Sequence, residues 1–139
     1  MFTNILLGVD GSPHSLKAAK AAGELARSLN ADLRIVVVFE PIPTYLGESS
    51  MEQAISSRME TAEYVLQEAI KAVGEIPGQL KTERLEGPVA EAILAAANTH
   101  HNDLIIMGSR GLGKLAGLLL GSQSQKVVQH APCPVLIVR

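Results

Sequence analysis

The sequence predicts a doubly wound α/β protein, a five-stranded parallel sheet with helices on both faces. Two observations carry this. Short aliphatic runs alternate with longer segments of helical periodicity, in the order βαβαβαβαβ. The central runs are also apolar at nearly every position, as strands covered on both faces must be.

The elements follow in order. Ile5 to Val9 is a short buried run that ends in Asp10-Gly11-Ser12-Pro13. Ser12 supplies a side-chain oxygen for a helix N-cap, and Pro13 suits the first helical position. Leu16, Ala19, Ala22, Gly23, Ala26 and Leu29 then recur at helical spacing, with Asn30 as the stop. Leu33 to Phe39 is β-branched and almost wholly apolar, so it is placed centrally in the sheet. Pro41 to Ser50 reads as a loop. A second helix puts Met51, Ala54, Ile55, Ala62, Val65, Leu66, Ala69, Ile70 and Val73 on one face and stops at Pro77-Gly78. Lys81 to Leu85 alternates polar and apolar, as a half-exposed edge strand does. Gly87-Pro88 opens a third helix, Val89 to about Ala97. Leu104 to Met107 is the fourth strand and Val135 to Val138 the fifth. Between these two strands Ser122 to His130 forms a short helix closed by Ala131-Pro132. With no repeat or low-complexity stretch, residues 1–139 are read as one domain.

Composition narrows the function. Almost half the residues are apolar, but there are only two Phe, two Tyr and no Trp, so the core is aliphatic. A net charge of −2 argues against a basic nucleic-acid-binding face. No apolar run approaches the roughly 20 residues that span a bilayer. The N-terminus lacks a basic n-region, and a cytoplasmic location is expected. Cys133 is the only cysteine, which excludes an internal disulfide and any multi-cysteine metal site.

Charge is distributed unevenly. From Leu104 to Arg139 there is no Asp or Glu, while Arg110, Lys114, Lys126, His130 and Arg139 fall in that stretch. The same stretch is rich in Gly and Ser, a composition suited to an anion. In doubly wound folds ligands bind beyond the carboxyl ends of the strands, where the winding reverses. Two such ends are unusual here: Asp10-Gly11, and the connection of about 14 residues from Gly108 to Gly121. Most strand-to-helix loops have roughly 2–6 residues, and longer ones tend to be functional. Glycines admit an anion close to backbone N–H groups, and Ser122 to Ser124 open a helix, where phosphate is favoured.

Two familiar phosphate motifs are near misses. Gly108 to Lys114 satisfies G-x-x-x-x-G-K, but Leu115 replaces the hydroxyl residue that binds Mg²⁺ in a P-loop. Gly111 to Ala116 satisfies G-x-G-x-x-A, but no acidic residue follows Asp103 to hold a dinucleotide's ribose.

A third pattern fits without a gap: Gly108-x2-Gly111-x9-Gly121-Ser122. It resembles the nucleotide-binding motif of ATP-binding universal stress proteins. Ile5 to Ser12 is similar to that family's first strand and turn, Asp103 to Gly111 to its fourth strand and loop, and His130 to Val138 to its final strand. The resemblance covers the whole chain. It implies the adenine nucleotide alpha hydrolase-like fold with strand order 3-2-1-4-5. It also implies ATP or AMP as ligand, with adenine and ribose near Gly8, Val9 and Asp10, and Val38 supplying a backbone contact to adenine. Met107 and Gly108 then border the ribose, Asp10 accepts from its hydroxyls, and Arg110, Gly111, Gly121, Ser122, Gln123 and Ser124 surround the phosphates. Mg²⁺ with ATP is held by phosphate oxygens, since the loop offers no carboxylate. Gly113 and Gly117 make the loop glycine-richer than the pattern demands, which loosens the phosphate site and lets AMP compete. Members dimerise through the last strand, so a homodimer through Val135 to Val138, or a tetramer, is expected.

Three functional readings follow. The first is a nucleotide-binding regulator acting through conformation and partners. The second is a slow ATPase or phosphotransferase, disfavoured because no acid lies in the loop to position water. The third is a nucleotide-free dimeric scaffold, disfavoured by the intact glycine pattern. Cys133 is read as a small apolar residue, His100-His101 as a solvated helix end, and His14 as facing water.

Overall fold

Asn4–Val9 forms strand β1, whose last five residues are all buried. The computed structural model describes residues 1–42, 44–110 and 120–139. After β1 come α1 (Pro13–Leu29), β2 (Asp32–Phe39), α2 (Glu48–Val73), β3 (Leu80–Glu86), α3 (Val89–Thr99), β4 (Leu104–Gly108), α4 (Ser122–His130) and β5 (Val135–Val138). The strands are all parallel, in the order β3-β2-β1-β4-β5. The chain therefore winds outward from β1 to β3, then crosses back to β4 and β5. The reversal falls between β1 and β4, as the resemblance implied.

Side chains alternate across the strands, and the two faces collect different helices. Ile5, Leu7, Leu33, Ile35 and Ile106 pack beneath α1 and α2. Leu6, Val36, Ile105 and Met107 pack against α3 and α4. Each central strand thus buries both faces, which is why its sequence shows no polar alternation.

Caps set both ends of α1. Ser12 Oγ accepts from Ser15 N–H at 3.2 Å, and Pro13 follows it as the first residue of α1. Asn30, at φ 53°, closes α1 in the left-handed conformation.

The second helix departs from expectation at both ends. It begins at Glu48, inside the segment read as a loop, because extended Gly47 precedes an acidic first turn that suits the helix dipole. It stops at Gly74, before Pro77-Gly78: the backbone there turns to φ 73° and its N–H reaches Ile70 O. The predicted core face holds only from Ala62 onward. Ile55 is 42% and Met59 37% exposed. A helix of 26 residues is about 39 Å long, longer than the sheet it covers. Its first half therefore rises past the carboxyl ends of the strands.

Candidate functional site

The β1–α1 turn is the first wall of the site. Gly11 takes φ 84°, a conformation that side chains resist, and so lets the chain fold back at the end of β1. Ser12 N–H donates to Asp10 Oδ1 at 2.9 Å, and Asp10 N–H donates to Ser15 Oγ at 3.1 Å. One carboxylate oxygen of Asp10 thus pins the turn. The other has no partner among the described residues, and Asp10 borders the cavity beside it.

The end of β4 is the second wall. Gly108 packs against α1 so tightly that a Cβ would lie 2.8 Å from the His14 carbonyl carbon. Ser109 is buried, and its Oγ lies 2.9 Å from His14 Nδ1. His14 therefore ties the start of α1 to β4, where the sequence suggested a water-facing ring. Gly121 N–H donates to Ser109 O at 2.7 Å, which brings the start of α4 back to the strand end.

At α4 the first turn divides its duties. Gly121 is the N-cap residue and offers no side chain. The backbone N–H groups of Ser122, Gln123 and Ser124 have no acceptor among the described residues, so they leave a partial positive charge there. Two of the side chains are committed elsewhere. Ser124 Oγ donates to Gly108 O at 2.9 Å, and Gln123 Oε1 accepts from Ala90 N–H at 3.0 Å, capping α3. Ser124 is thereby left with its backbone N–H toward the cavity, and Gln123 with its backbone N–H and its side-chain Nε2 amide.

Between the walls lies a cavity of about 600 Å³, within the range of small-molecule sites. It reaches Gly8, Val9, Asp10 and Val38 on one side and Met107, Gly108 and Arg110 on the other. Gly121, Ser122, Gln123 and Ser124 close that second side. Gly111 lies outside the described residues, as do Gly113, Lys114 and Gly117. Lys126 is turned away from the cavity into an exposed ion pair with Glu91 at 2.8 Å. Its hydrogen bond holds the Glu91 carboxyl below the ordinary value. Arg110 is thus the described cation of the C-terminal segment that borders the cavity.

Sequence reasoning missed a third wall. Ser57, Arg58, Thr61, Ala62 and Val65 of α2 also line the cavity, with Val36, Phe39 and Glu40 of β2 and Val89 and Ile93 of α3. The available signal was Arg58, a charge standing between Ala54 and Ala62 at i+4 spacing on an otherwise apolar stripe.

Other tempting groups lie outside the site. Cys133 is half-buried and packs against the α3/α4 layer. Burial, and then the charge of Asp103, push its thiol above the ordinary value, the opposite of a reactive cysteine. His100 Nε2 meets Glu83 Oε2 at 3.1 Å. Among the described residues no three His, Cys, Asp or Glu side chains are grouped to hold a metal ion, and no helix is long and apolar enough to cross a membrane.

Fold and site together define the class: an open, doubly wound α/β protein with a ligand crevice at its topological switch point. Within that class, a model of the universal stress protein family matches residues 1–139, and the chain belongs to that family. It is 50% identical to a Thermus aquaticus universal stress protein, described by its place in the 3′ region of a QAH/OAS sulfhydrylase, over 100% of both chains. UspA of Lactobacillus plantarum superposes with a TM-score of 0.86 at 27% identity, covering 99% of this chain and 98% of that one. A universal stress protein solved in complex with cAMP superposes with a TM-score of 0.72 at 28% identity, covering 99% and 97%.

Proposed function

We propose that this protein binds an adenine nucleotide, ATP or AMP, in the switch-point cavity, and that occupancy rather than turnover is its output. The observation that carries this reading is the asymmetry of the cavity. On its β2 and α3 side the lining is apolar, with Val36, Val38 and Ile93 from one packed layer, which suits a base. Its β4–α4 side offers Arg110 and the first-turn N–H groups of α4, which have no acceptor among the described residues and suit phosphate. Asp10 stands at the end of β1 between them, with one carboxylate oxygen that has no partner among the described residues for ribose hydroxyls, while Gly8, Val9, Met107 and Gly108 close around the sugar. The complex of a related protein with cAMP supports the same ligand class.

In this reading Ser122 contributes its hydroxyl and backbone, and Gln123 and Ser124 their backbone, to the phosphates. Any Mg²⁺ travels on phosphate oxygens. The cavity carboxylates are Asp10 and Glu40, and Asp10 is held by the turn. No base is thereby aimed at a γ-phosphate, so the enzymatic reading is set second. The protein acts as a homodimer joined through Val135 to Val138, in the cytoplasm, where nucleotide level is the signal.

Calorimetric titration of nucleotide-stripped protein with ATP·Mg²⁺ and with AMP tests this, with Gly121→Val as control. Gly121 is extended, at φ −67° and ψ 158°, so valine tolerates its backbone and perturbs the cavity rim. Micromolar binding that is lost in the variant is expected. Absence of heat and of any thermal shift with both ligands sinks the nucleotide reading and leaves the scaffold.

A further inference from the structure

We propose that Arg58, on the projecting half of α2, is the donor that reads the nucleoside end of the ligand. This rests on the nucleotide reading above and adds to it a contact from a third element.

The argument begins with an unsatisfied atom. Arg58 lines the cavity, and its Nε is buried with no hydrogen-bond partner among the described residues. A buried, always-charged guanidinium donor without an acceptor is costly, and proteins retain such a group where something else completes it. No ion pair among the described residues engages Arg58 either.

Its place in the fold decides which part of a nucleotide it meets. The helix packs on α1, β1 and β2. Two turns below Arg58, Val65 comes within 3.1 Å of where a Cβ on Gly11 would lie, so this wall stands over the ends of β1 and β2. The phosphate-type groups, Arg110 and the first turn of α4, belong to the β4–α4 connection, and α4 packs on α3 and β5. Arg58 therefore faces the ligand from the β2 side of the cavity, which Phe39 and Glu40 also line. A nucleoside offers neutral acceptors there, ring nitrogens and ribose oxygens. The guanidinium fork presents several in-plane N–H donors that match such acceptors, a geometry a single ammonium does not reproduce.

The test uses adenosine, AMP and ATP·Mg²⁺ with Arg58→Lys, Arg58→Gln and, as the phosphate-end contrast, Arg110→Gln. Both Arg58 variants should weaken all three ligands by the same factor, about tenfold for a charged hydrogen bond, with lysine no better than glutamine. Arg110→Gln should weaken ATP and leave adenosine unchanged. A readout independent of any variant is available on the native protein. Adenosine alone should shift the Arg58 Nε–H resonance and slow its exchange with water.

Wild-type affinity in both Arg58 variants with an unmoved resonance overturns the proposal and leaves nucleotide binding intact. Loss confined to AMP and ATP and restored by lysine also overturns it, by moving Arg58 to the phosphates. If the native protein binds none of the three ligands, the nucleotide reading falls and this inference with it.

Discussion

Single carboxylates do two different jobs in this fold. At the carboxyl ends of the strands, Asp10 Oδ1 accepts from the Ser12 N–H, and the residue borders the cavity. The residue that pins the helix start thus also borders the cavity, so the proposed ribose contact would leave the turn intact. At the opposite end Asp103 is wholly structural. Its Oδ2 accepts from Thr3 N–H and Thr3 Oγ at 2.9 and 3.1 Å, and its Oδ1 from Asn4 N–H at 3.1 Å. Burial works to raise its pKa, but these hydrogen bonds to Thr3 and Asn4 outweigh it and hold the carboxyl below the ordinary 3.8. A carboxyl depressed by folding stabilises the fold fully above its unfolded value, and that contribution is lost as pH falls through the folded one. Asp103→Asn keeps one acceptor but turns an amide donor toward backbone donors. Solvent screening at this half-exposed site limits the cost to about 1 kcal/mol at pH 7, read by urea unfolding. The gap to wild type should close below the ordinary carboxylate range. An equal gap at pH 7 and pH 2.5 would mean that the loss is packing, not charge.

Elements that pack on both faces declare themselves in sequence, and elements that wall a cavity do not. The central strands were legible because aliphatic runs with no polar alternation have one stable place in an α/β domain, and the caps at Ser12 and Asn30 are local chemistry. The projecting half of α2 was not. Met51, Ala54 and Ile55 continue the apolar period of the lower half, yet Ile55 is exposed, because the sheet they would have covered ends below them. The same blindness hid Ser57, Arg58 and Thr61, which reach the site through tertiary packing, whereas the site residues on β1, β4 and α4 sat beside recognisable turns and glycines. What holds α2 against α1 is its lower end. A Cβ on Gly23 of α1 would collide with the Val73 carbonyl, and Arg27 Nη1 donates to that carbonyl at 2.7 Å and to Glu75 O at 3.0 Å. Gly23→Ala removes a helix-weakening glycine, but it pushes against backbone that Arg27 is holding. The clash should win, at about 1–3 kcal/mol for overpacking against a propensity gain of about 1 kcal/mol. Chemical unfolding measures the difference. Unchanged or increased stability would show that α2 yields freely, and with it the cavity wall it carries.

The sheet as a whole has two edges, and they are built differently. One edge, β3, carries Lys81, Glu83, Arg84 and Glu86 along an exposed strand, the kind of charged border that discourages strand addition. The other, β5, is Val-Leu-Ile-Val without a charge. Leu136 on it is 37% exposed, and Val128 on neighbouring α4 is 46% exposed. Pro134 O and Val138 O accept from Ile105 and Ser109 N–H. By strand alternation the backbone groups of Val135 and Ile137 point outward from the sheet. A second copy turned about a two-fold axis could meet them with its own β5, the self-complementary contact that closed dimers use. Of the two edges, the proposed homodimer therefore belongs on β5. The same strand hydrogen-bonds through Val138 to Ser109, which lies between Gly108 and Arg110 of the cavity, so assembly and ligand would share a backbone connection. Leu136→Lys places a charge on the apolar edge without removing any β4 hydrogen bond. Sedimentation velocity should show the native protein at twice the chain mass and the variant shifted toward monomer, with the midpoint of thermal unfolding falling as concentration is lowered in the native protein. A native protein that sediments as a monomer at every concentration would refute the dimer. A dimer that survives Leu136→Lys and Val128→Lys together would place it on another face.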